Sequence, residues 1–178
     1  MKKRSVSLLS LLFIPLVAMA ASPYAGQESR GIKSLSAEDV AALLAGKGMG
    51  LAKSAELNGF AGPAHVLELA EQLHLSPEQR VRTEALFASM SSKASASGRA
   101  LVDKERELDA RFAAKSITRE HLLHALAEIG SLQAQVRAAH LEAHLAQVEI
   151  LTAQQNTRYA ELRGYSAPVE QGTGKHRH

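Results

Sequence analysis

The sequence predicts an all-α protein built around a long antiparallel helical hairpin with short flanking helices. Residues 119–150 contain no proline and one glycine, and they consist mostly of Ala, Leu, Gln, Glu and Arg, which are strong helix formers. No stretch after residue 20 shows the alternation of apolar and polar residues that is typical of a strand. Two capped helix starts, at Ser76 and Thr152, frame the hairpin.

Apolar residues recur every seven positions along residues 119–150. One position of this repeat holds Leu122, Ile129, Val136, Ala143 and Ile150, and the second holds Ala125, Leu132, Ala139 and Ala146. The period places all of them in one narrow stripe on a helix about 45 Å long. A helix of that length cannot bury its stripe alone, so we expect a partner helix from this chain or from a second copy.

The first 20 residues have the features of a secretory signal peptide. Residues 2–4 are basic, residues 8–17 are apolar, and Ala18-Met19-Ala20 is a cleavage site of the A-x-A type. The apolar stretch is too short to cross a membrane. We therefore expect an exported periplasmic protein whose mature form has no membrane span.

Four segments are expected after the signal peptide. Residues 21–35 are polar without periodicity and are predicted to be a flexible leader. Residues 36–62 are predicted to hold short helices and a glycine-rich loop. The loop, Gly46-Lys47-Gly48-Met49-Gly50, follows no strand and lacks the Lys-Ser/Thr pair of a phosphate-binding loop, so it is interpreted as a helix stop. Residues 63–165 form the main helical domain, and residues 166–178 are predicted to be a disordered tail.

The first long helix is expected to run from Pro77 to about Ala113. Its apolar positions are Phe87, Met90, Ala94, Leu101, Leu108 and Phe112. The middle, residues 91–98, is rich in Ser and poor in apolar residues, which predicts local bending or weak packing. The connection at residues 115–118 is short, so the two long helices should be antiparallel neighbours.

The same capping pattern occurs twice. In Leu75-Ser76-Pro77-Glu78-Gln79, Ser76 is the N-cap and Gln79, three residues later, completes a capping box. Leu151-Thr152-Ala153-Gln154-Gln155 repeats the arrangement. The second box predicts that the second long helix ends near Leu151 and that a short helix follows, with Gly164 as its stop.

Charge and composition argue against two classes of function. Loss of the signal peptide removes three of the 21 basic residues and none of the 18 acidic ones, so the mature chain is formally neutral and we expect no nucleic-acid partner. The chain has no cysteine and therefore no disulfide or thiolate chemistry. It also lacks a nucleophile elbow, an HExxH motif and a paired-carboxylate signal, so we expect no enzyme.

The signal peptide, the cysteine-free helical chain and the two L-[ST]-x-x-Q boxes resemble the Spy/CpxP family of periplasmic proteins. The matching positions are Leu75, Ser76 and Gln79, and Leu151, Thr152 and Gln155. Over residues 63–165 the resemblance implies a hooked helical hairpin and a thin, curved homodimer. It also implies an ATP-independent chaperone or envelope-stress factor that binds unfolded periplasmic proteins and requires no cofactor. Relatives of that family include heavy-metal sensors, which implies divalent heavy-metal binding or sensing as the alternative.

Two histidines suggest how a metal would be held. His140 and His144 are four residues apart on the second long helix, which places both imidazoles on one face. This is a common geometry for two ligands of zinc or another divalent transition metal. His65, Met49, Glu142 or a second chain would supply the remaining ligands. The alternative is that the two imidazoles form hydrogen bonds at the surface between helices.

Binding of unfolded clients would need exposed apolar side chains beside long charged ones, which combine weak apolar contact with salt-sensitive attraction. The candidates for such contacts are Phe87, Met90, Arg99, Arg106, Arg111 and Phe112. The alternative for the apolar members is a place in the core of the hairpin or of a dimer.

Overall fold

A computed structural model describes residues 22–165; the predicted signal peptide and C-terminal tail lie outside this range. Its six helices are α1 (Ala37–Leu44), α2 (Lys53–Glu56), α3 (Pro63–Glu68), α4 (Pro77–Ala113), α5 (Arg119–Ile150) and α6 (Ala153–Leu162). Over these residues all regular secondary structure is helical, so the predicted all-α class is confirmed. None of the helices in residues 22–165 combines the length and the apolar character that a membrane span needs.

Helices α4 and α5 pack along their length as an antiparallel hairpin. Near the start of α4 and the end of α5, the Gln147 amide donates to Thr83 at 3.2 Å. Towards the connecting turn, Lys104 Nζ lies 3.0 Å from Glu128 Oε2. Contacts that advance along one helix and retreat along the other define the antiparallel direction, as the short connection predicts.

The predicted heptad stripe of α5 faces the rest of the molecule. Ile129, Val136, Ala139 and Ala143 are buried, and the other five stripe positions are partly buried. Burying a branched aliphatic side chain stabilises a fold by about 1.5–3 kcal/mol. Since α4 packs along α5, the partner of the stripe is a helix of the same chain.

The facing positions on α4 follow the prediction in part. Met90, Ala94 and Leu101 are buried, whereas Phe87 and Phe112 are 37% and 52% exposed. Both aromatic side chains thus lie at or beyond the edge of the hairpin core.

The Ser-rich middle of α4 is closely packed, and the expectation of weak packing is wrong. The helix is continuous through residues 91–98, and Ala94 is fully buried. Gly98 meets the backbone carbonyl of Leu43, and a Cβ added to Gly46 would lie 2.8 Å from a backbone oxygen of α4. Small residues occur here because α1 and the segment after it approach the backbone of α4.

Part of the predicted flexible leader packs on the hairpin. Ile32 is 6% exposed and belongs to one apolar cluster with Leu43 and Leu101. Lys33 Nζ lies 3.3 Å from Asp109 Oδ2. The leader prediction missed this contact because an isolated isoleucine in a polar stretch has no periodicity.

The end of the hairpin remote from its turn is closed by α3 and α6. Ala61, Val66, Leu73, Leu151 and Tyr159 form a second buried cluster there. This cluster holds the chain that enters α4 against the chain that leaves α5, so the two capping boxes are brought together.

The glutamines of the two boxes bind each other. Gln79 Nε2 donates to Gln155 Oε1 at 2.8 Å, and Gln155 Nε2 donates to Gln79 Oε1 at 3.0 Å. Each Oε1 also accepts the backbone N–H of its own N-cap, from Ser76 at 3.0 Å and from Thr152 at 2.9 Å. One amide pair therefore caps two helices.

Each glutamine also satisfies a carbonyl of the opposite segment. Gln79 Nε2 donates to Ile150 O at 2.9 Å, and Gln155 Nε2 donates to Leu73 O at 3.1 Å. The capping boxes are thus both local signals for helix starts and a long-range connection between the two ends of the hairpin.

We expect the two glutamines to be energetically coupled. Gln79→Ala or Gln155→Ala leaves partly buried polar groups without partners and should reduce the free energy of unfolding by about 1–3 kcal/mol. The double variant should lose less than the sum of the two, by about 0.5 kcal/mol or more. Urea denaturation followed by circular dichroism measures this coupling.

Asp39→Ala in the capping box of α1 is the matched control, because that box is exposed and its side chain bonds stay within Ser36 and Asp39. It should cost less than either glutamine variant. Strict additivity of the two glutamine substitutions would contradict a shared network.

Candidate functional site

A groove of about 720 Å³ lies between residues 45–65 and the two long helices. Its walls carry three imidazoles, two carboxylates and two thioethers, from His65, His140, His144, Glu56, Glu68, Met49 and Met90. We call it the histidine groove. All three histidines that the sequence suggested as metal ligands line it.

His140 and His144 are nearly buried, with 5% and 7% of their surface exposed. They lie beside the heptad stripe of α5, where the buried face widens because residues 45–65 cover it in addition to α4. A Cβ on Gly48 would lie 3.4 Å from His140 Nδ1, and one on Gly62 would lie 2.7 Å from His144 Cε1. Two glycines thus make room for the two rings.

The orientation of His144 determines which of its nitrogens is free. Its Nδ1 lies 2.8 Å from the carbonyl oxygen of Phe60. A carbonyl can only accept, so Nδ1 carries the hydrogen and the neutral ring has its lone pair on Nε2. Histidines that bind metals commonly have their other nitrogen fixed by such a bond to the backbone.

His140 has a buried nitrogen without a partner. Its Nε2 makes no hydrogen bond within residues 22–165. Burial, and secondly the neighbouring His144, lower the pKa of His140 below its ordinary value. The ring is therefore neutral near pH 7. An unpaired buried polar atom costs about 1–3 kcal/mol, a cost that a ligand in the groove would offset.

Glu56 forms a polar centre at one wall of the groove. Its Oε1 accepts from Tyr159 Oη at 2.6 Å, Tyr165 Oη at 3.1 Å and Arg163 Nε at 3.3 Å. Its Oε2 is buried, has no hydrogen-bond partner in the described residues and lies 3.7 Å from His144 Nδ1. One oxygen is thus fixed by three donors while the other stays beside the histidine pair.

Sequence reasoning did not single out Glu56. It lies in a short helix without a motif, and its partners are about 100 residues away in α6 and the residues after it. Burial, and the bond donated to Glu56, raise the pKa of Tyr159 above its ordinary value, so its hydroxyl remains a donor. Only the folded chain brings these groups together.

His65 lies on the groove, and one of its nitrogens is bound to a carboxylate of its own helix. Its Nδ1 is 2.8 Å from Glu68 Oε2, and 39% of its side chain is exposed. Over residues 22–165 no three side chains of the types His, Cys, Asp and Glu are grouped as a metal site. All three histidines thus line the groove, with His140 and His144 one turn apart on α5 and His65 bound to Glu68 on α3.

The candidate client-binding residues divide by exposure. Phe87, Phe112, Arg99 and Arg106 are exposed, Arg111 is half-buried, and Met90 is buried. Arg106 lies 2.6 Å from Asp103, and Arg111 lies 3.0 Å from Glu107. Met90 cannot touch a client without a change in the fold, and two of the arginines are paired on their own helix.

Comparison with protein families adds one finding. A family model described as heavy-metal resistance matches residues 40–158. This chain belongs to the heavy-metal resistance family. The matched range includes the long hairpin, the three histidines of the groove and the capping boxes of α4 and α6, and the family is part of the Spy/CpxP-like group of periplasmic helical folds. No curated protein and no solved structure shows significant similarity to the chain.

In this member of the heavy-metal resistance family, Gly62→Ala tests the fit of the groove around His144. The backbone at Gly62 is extended (φ −92°), so alanine is conformationally allowed there. Its Cβ would nevertheless lie 2.7 Å from His144 Cε1 and 2.9 Å from Nε2. We expect displacement of the ring, seen as shifted imidazole NMR signals, and a lower unfolding temperature.

Gly130→Ala is the control, because an added Cβ there meets nothing within 4 Å. This exposed position inside α5 should become more stable by about 0.5–1 kcal/mol. Unchanged histidine signals in the Gly62 variant would show that the groove has room for a Cβ beside His144.

Proposed function

We propose that this protein binds heavy-metal ions in the periplasm through His140 and His144, and that it acts without catalysis. The observation that supports this best is the pair of nearly buried imidazoles in one groove, of which His140 has a buried nitrogen without a partner. Membership in the heavy-metal resistance family supports the same function. The predicted signal peptide supports the location.

The protonation of the pair suits metal binding. An imidazole must lose its second proton before it can bind an ion, so protons compete with the metal. Burial lowers the pKa of His140 and so reduces that competition near pH 7. The bond from His144 Nδ1 to Phe60 O leaves Nε2 of that ring as the metal-binding atom.

Charge in the groove suits a cation. The free Oε2 of Glu56 is buried beside His144 and would offset positive charge in the groove. Two imidazoles occupy half of the positions around a tetrahedral ion. Other groups of the groove, water or a second copy of the chain would fill the rest, and the last of these agrees with the homodimer that the resemblance implies.

Calorimetric titration of the mature protein with zinc, nickel, cobalt and copper tests the proposal. We expect binding of at least one ion with a dissociation constant of about 1 µM or lower. His140→Ala/His144→Ala should weaken it by about tenfold or more, because both imidazole ligands are lost. Binding should also weaken as the pH falls and the imidazoles take up protons.

The matched control is His121→Ala/His124→Ala, which removes two histidines from the other end of α5, where the His124 side chain is 75% exposed. It should leave the affinity unchanged. Weak binding by His176 and His178 of the tail would be common to all variants. Absence of binding above that level, or equal losses in both double variants, would rule out the groove as the site.

Chaperone activity is a second candidate, supported by exposed apolar side chains on the two long helices. Six of them are at least one-third exposed: Val81, Phe87, Phe112, Leu123, Leu126 and Leu145. Isolated apolar side chains are ordinary on a protein surface, but several along one thin hairpin offer weak contacts for an unfolded chain. We propose that unfolded periplasmic proteins bind there.

Light scattering of a denatured client protein tests this second function. We expect suppression of aggregation at equimolar protein, reduced by high salt because surface charges contribute. Phe112→Ser/Leu123→Ser should reduce suppression without loss of stability, since both side chains are exposed. His121→Ala/His124→Ala on the same helical end is the control. No suppression by the unmodified protein would exclude the chaperone function.

A further inference from the structure

Both methionines of the mature sequence line the histidine groove. The chain has four methionines, and two of them, Met1 and Met19, lie in the predicted signal peptide. The others, Met49 and Met90, come from the glycine-rich segment and from α4, and both are part of the groove wall with His140 and His144. Two separate parts of the chain thus each contribute a methionine to the groove that holds the proposed metal ligands.

Packing accounts for one methionine and not for the other. Met90 is 8% exposed and fills the core. Met49 is 46% exposed, and its backbone has a positive φ of 44°. A left-handed conformation is unfavourable for a residue with a side chain. Burial in a core therefore does not explain why this position on the groove wall is a methionine.

We propose that the histidine groove selects soft monovalent ions, copper(I) or silver(I), over zinc(II) and nickel(II), and that Met49 and Met90 determine this selectivity. The inference rests on the proposed metal-binding function. Thioethers are soft, neutral donors that favour copper(I), whereas zinc and nickel prefer imidazole, carboxylate and thiolate ligands.

The arrangement of the carboxylates agrees with this choice. Glu56 Oε1 is occupied by three hydrogen-bond donors, and Glu68 is paired with His65. In the described part of the chain no three side chains of the types His, Cys, Asp and Glu form a cluster that would hold a divalent ion. One free oxygen, Glu56 Oε2, remains to balance a single positive charge.

The absence of cysteine fits the same chemistry. Cysteine is the usual soft ligand, but its thiol is readily oxidised or drawn into disulfides outside the cytoplasm. Methionine supplies a soft sulfur that cannot form a disulfide. The sequence has no cysteine at all, so any soft ligand of this protein must be a thioether.

Competition titrations with the mature protein test the selectivity. Copper(I), supplied without oxygen against a coloured copper(I) chelator, and silver(I), which needs no reductant, are compared with zinc(II) against a coloured zinc chelator. Met49→Leu/Met90→Leu keeps the side-chain volume nearly constant. It should weaken copper(I) and silver(I) binding by about tenfold or more and leave zinc binding unchanged. Silver(I) should also shift the NMR signals of both methionine methyl groups in the unmodified protein.

Phe87→Leu is the control, because Phe87 lines the same groove without a donor atom; it should change neither affinity. If the double methionine variant unfolds, Met49→Leu alone serves, since Met49 is exposed. Copper(I) and silver(I) affinities that survive loss of the methionines but fall in His140→Ala/His144→Ala would overturn the selectivity and leave the proposed function standing. Failure of every ion to bind would overturn both.

Discussion

The structure depends on burial of one face of the 32-residue helix α5. In its first half this face is a narrow stripe that α4 covers. In its second half residues 45–65 cover an additional side, and the buried face widens to include His140 and His144. Close approach of α1 and of this covering segment requires small residues on both sides, which explains the buried Gly98 and Ala94 of α4 and the glycines that face the two imidazoles. The groove exists because a second layer is added at one end of the hairpin.

The capping boxes connect that end of the hairpin to the groove. The Gln79–Gln155 pair holds the start of α4 against the start of α6. Helix α6 in turn carries Tyr159, whose buried hydroxyl binds Glu56 and accepts the N–H of Gly62. The same helix start that the sequence shows as a capping motif therefore positions one wall of the groove. Loss of the glutamine pair should therefore change the surroundings of the histidines as well as lower the overall stability.

The two proposed functions use largely different surfaces; of the exposed apolar side chains on the long helices, Phe87 also lines the groove. The histidine groove lies under residues 45–65, and its donors are mostly imidazoles and thioethers with one free carboxylate oxygen. The exposed apolar side chains lie along the outside of α4 and α5, beside arginines that pair with carboxylates on their own helix. A metal in the groove and an unfolded chain on the hairpin would not compete for the same atoms.

Local chemistry made much of the architecture predictable. The sequence by itself determined the two long helices, their antiparallel order, the α5 stripe and the helix starts at Ser76 and Thr152, because propensity, period and capping act within a few residues. Only the tertiary structure decided that Ile32 is buried, that Gln79 binds Gln155 and that Glu56 lies beside His144. Those contacts join residues 69 to 88 positions apart, and no local pattern in a sequence records which distant segment will cover a helix face.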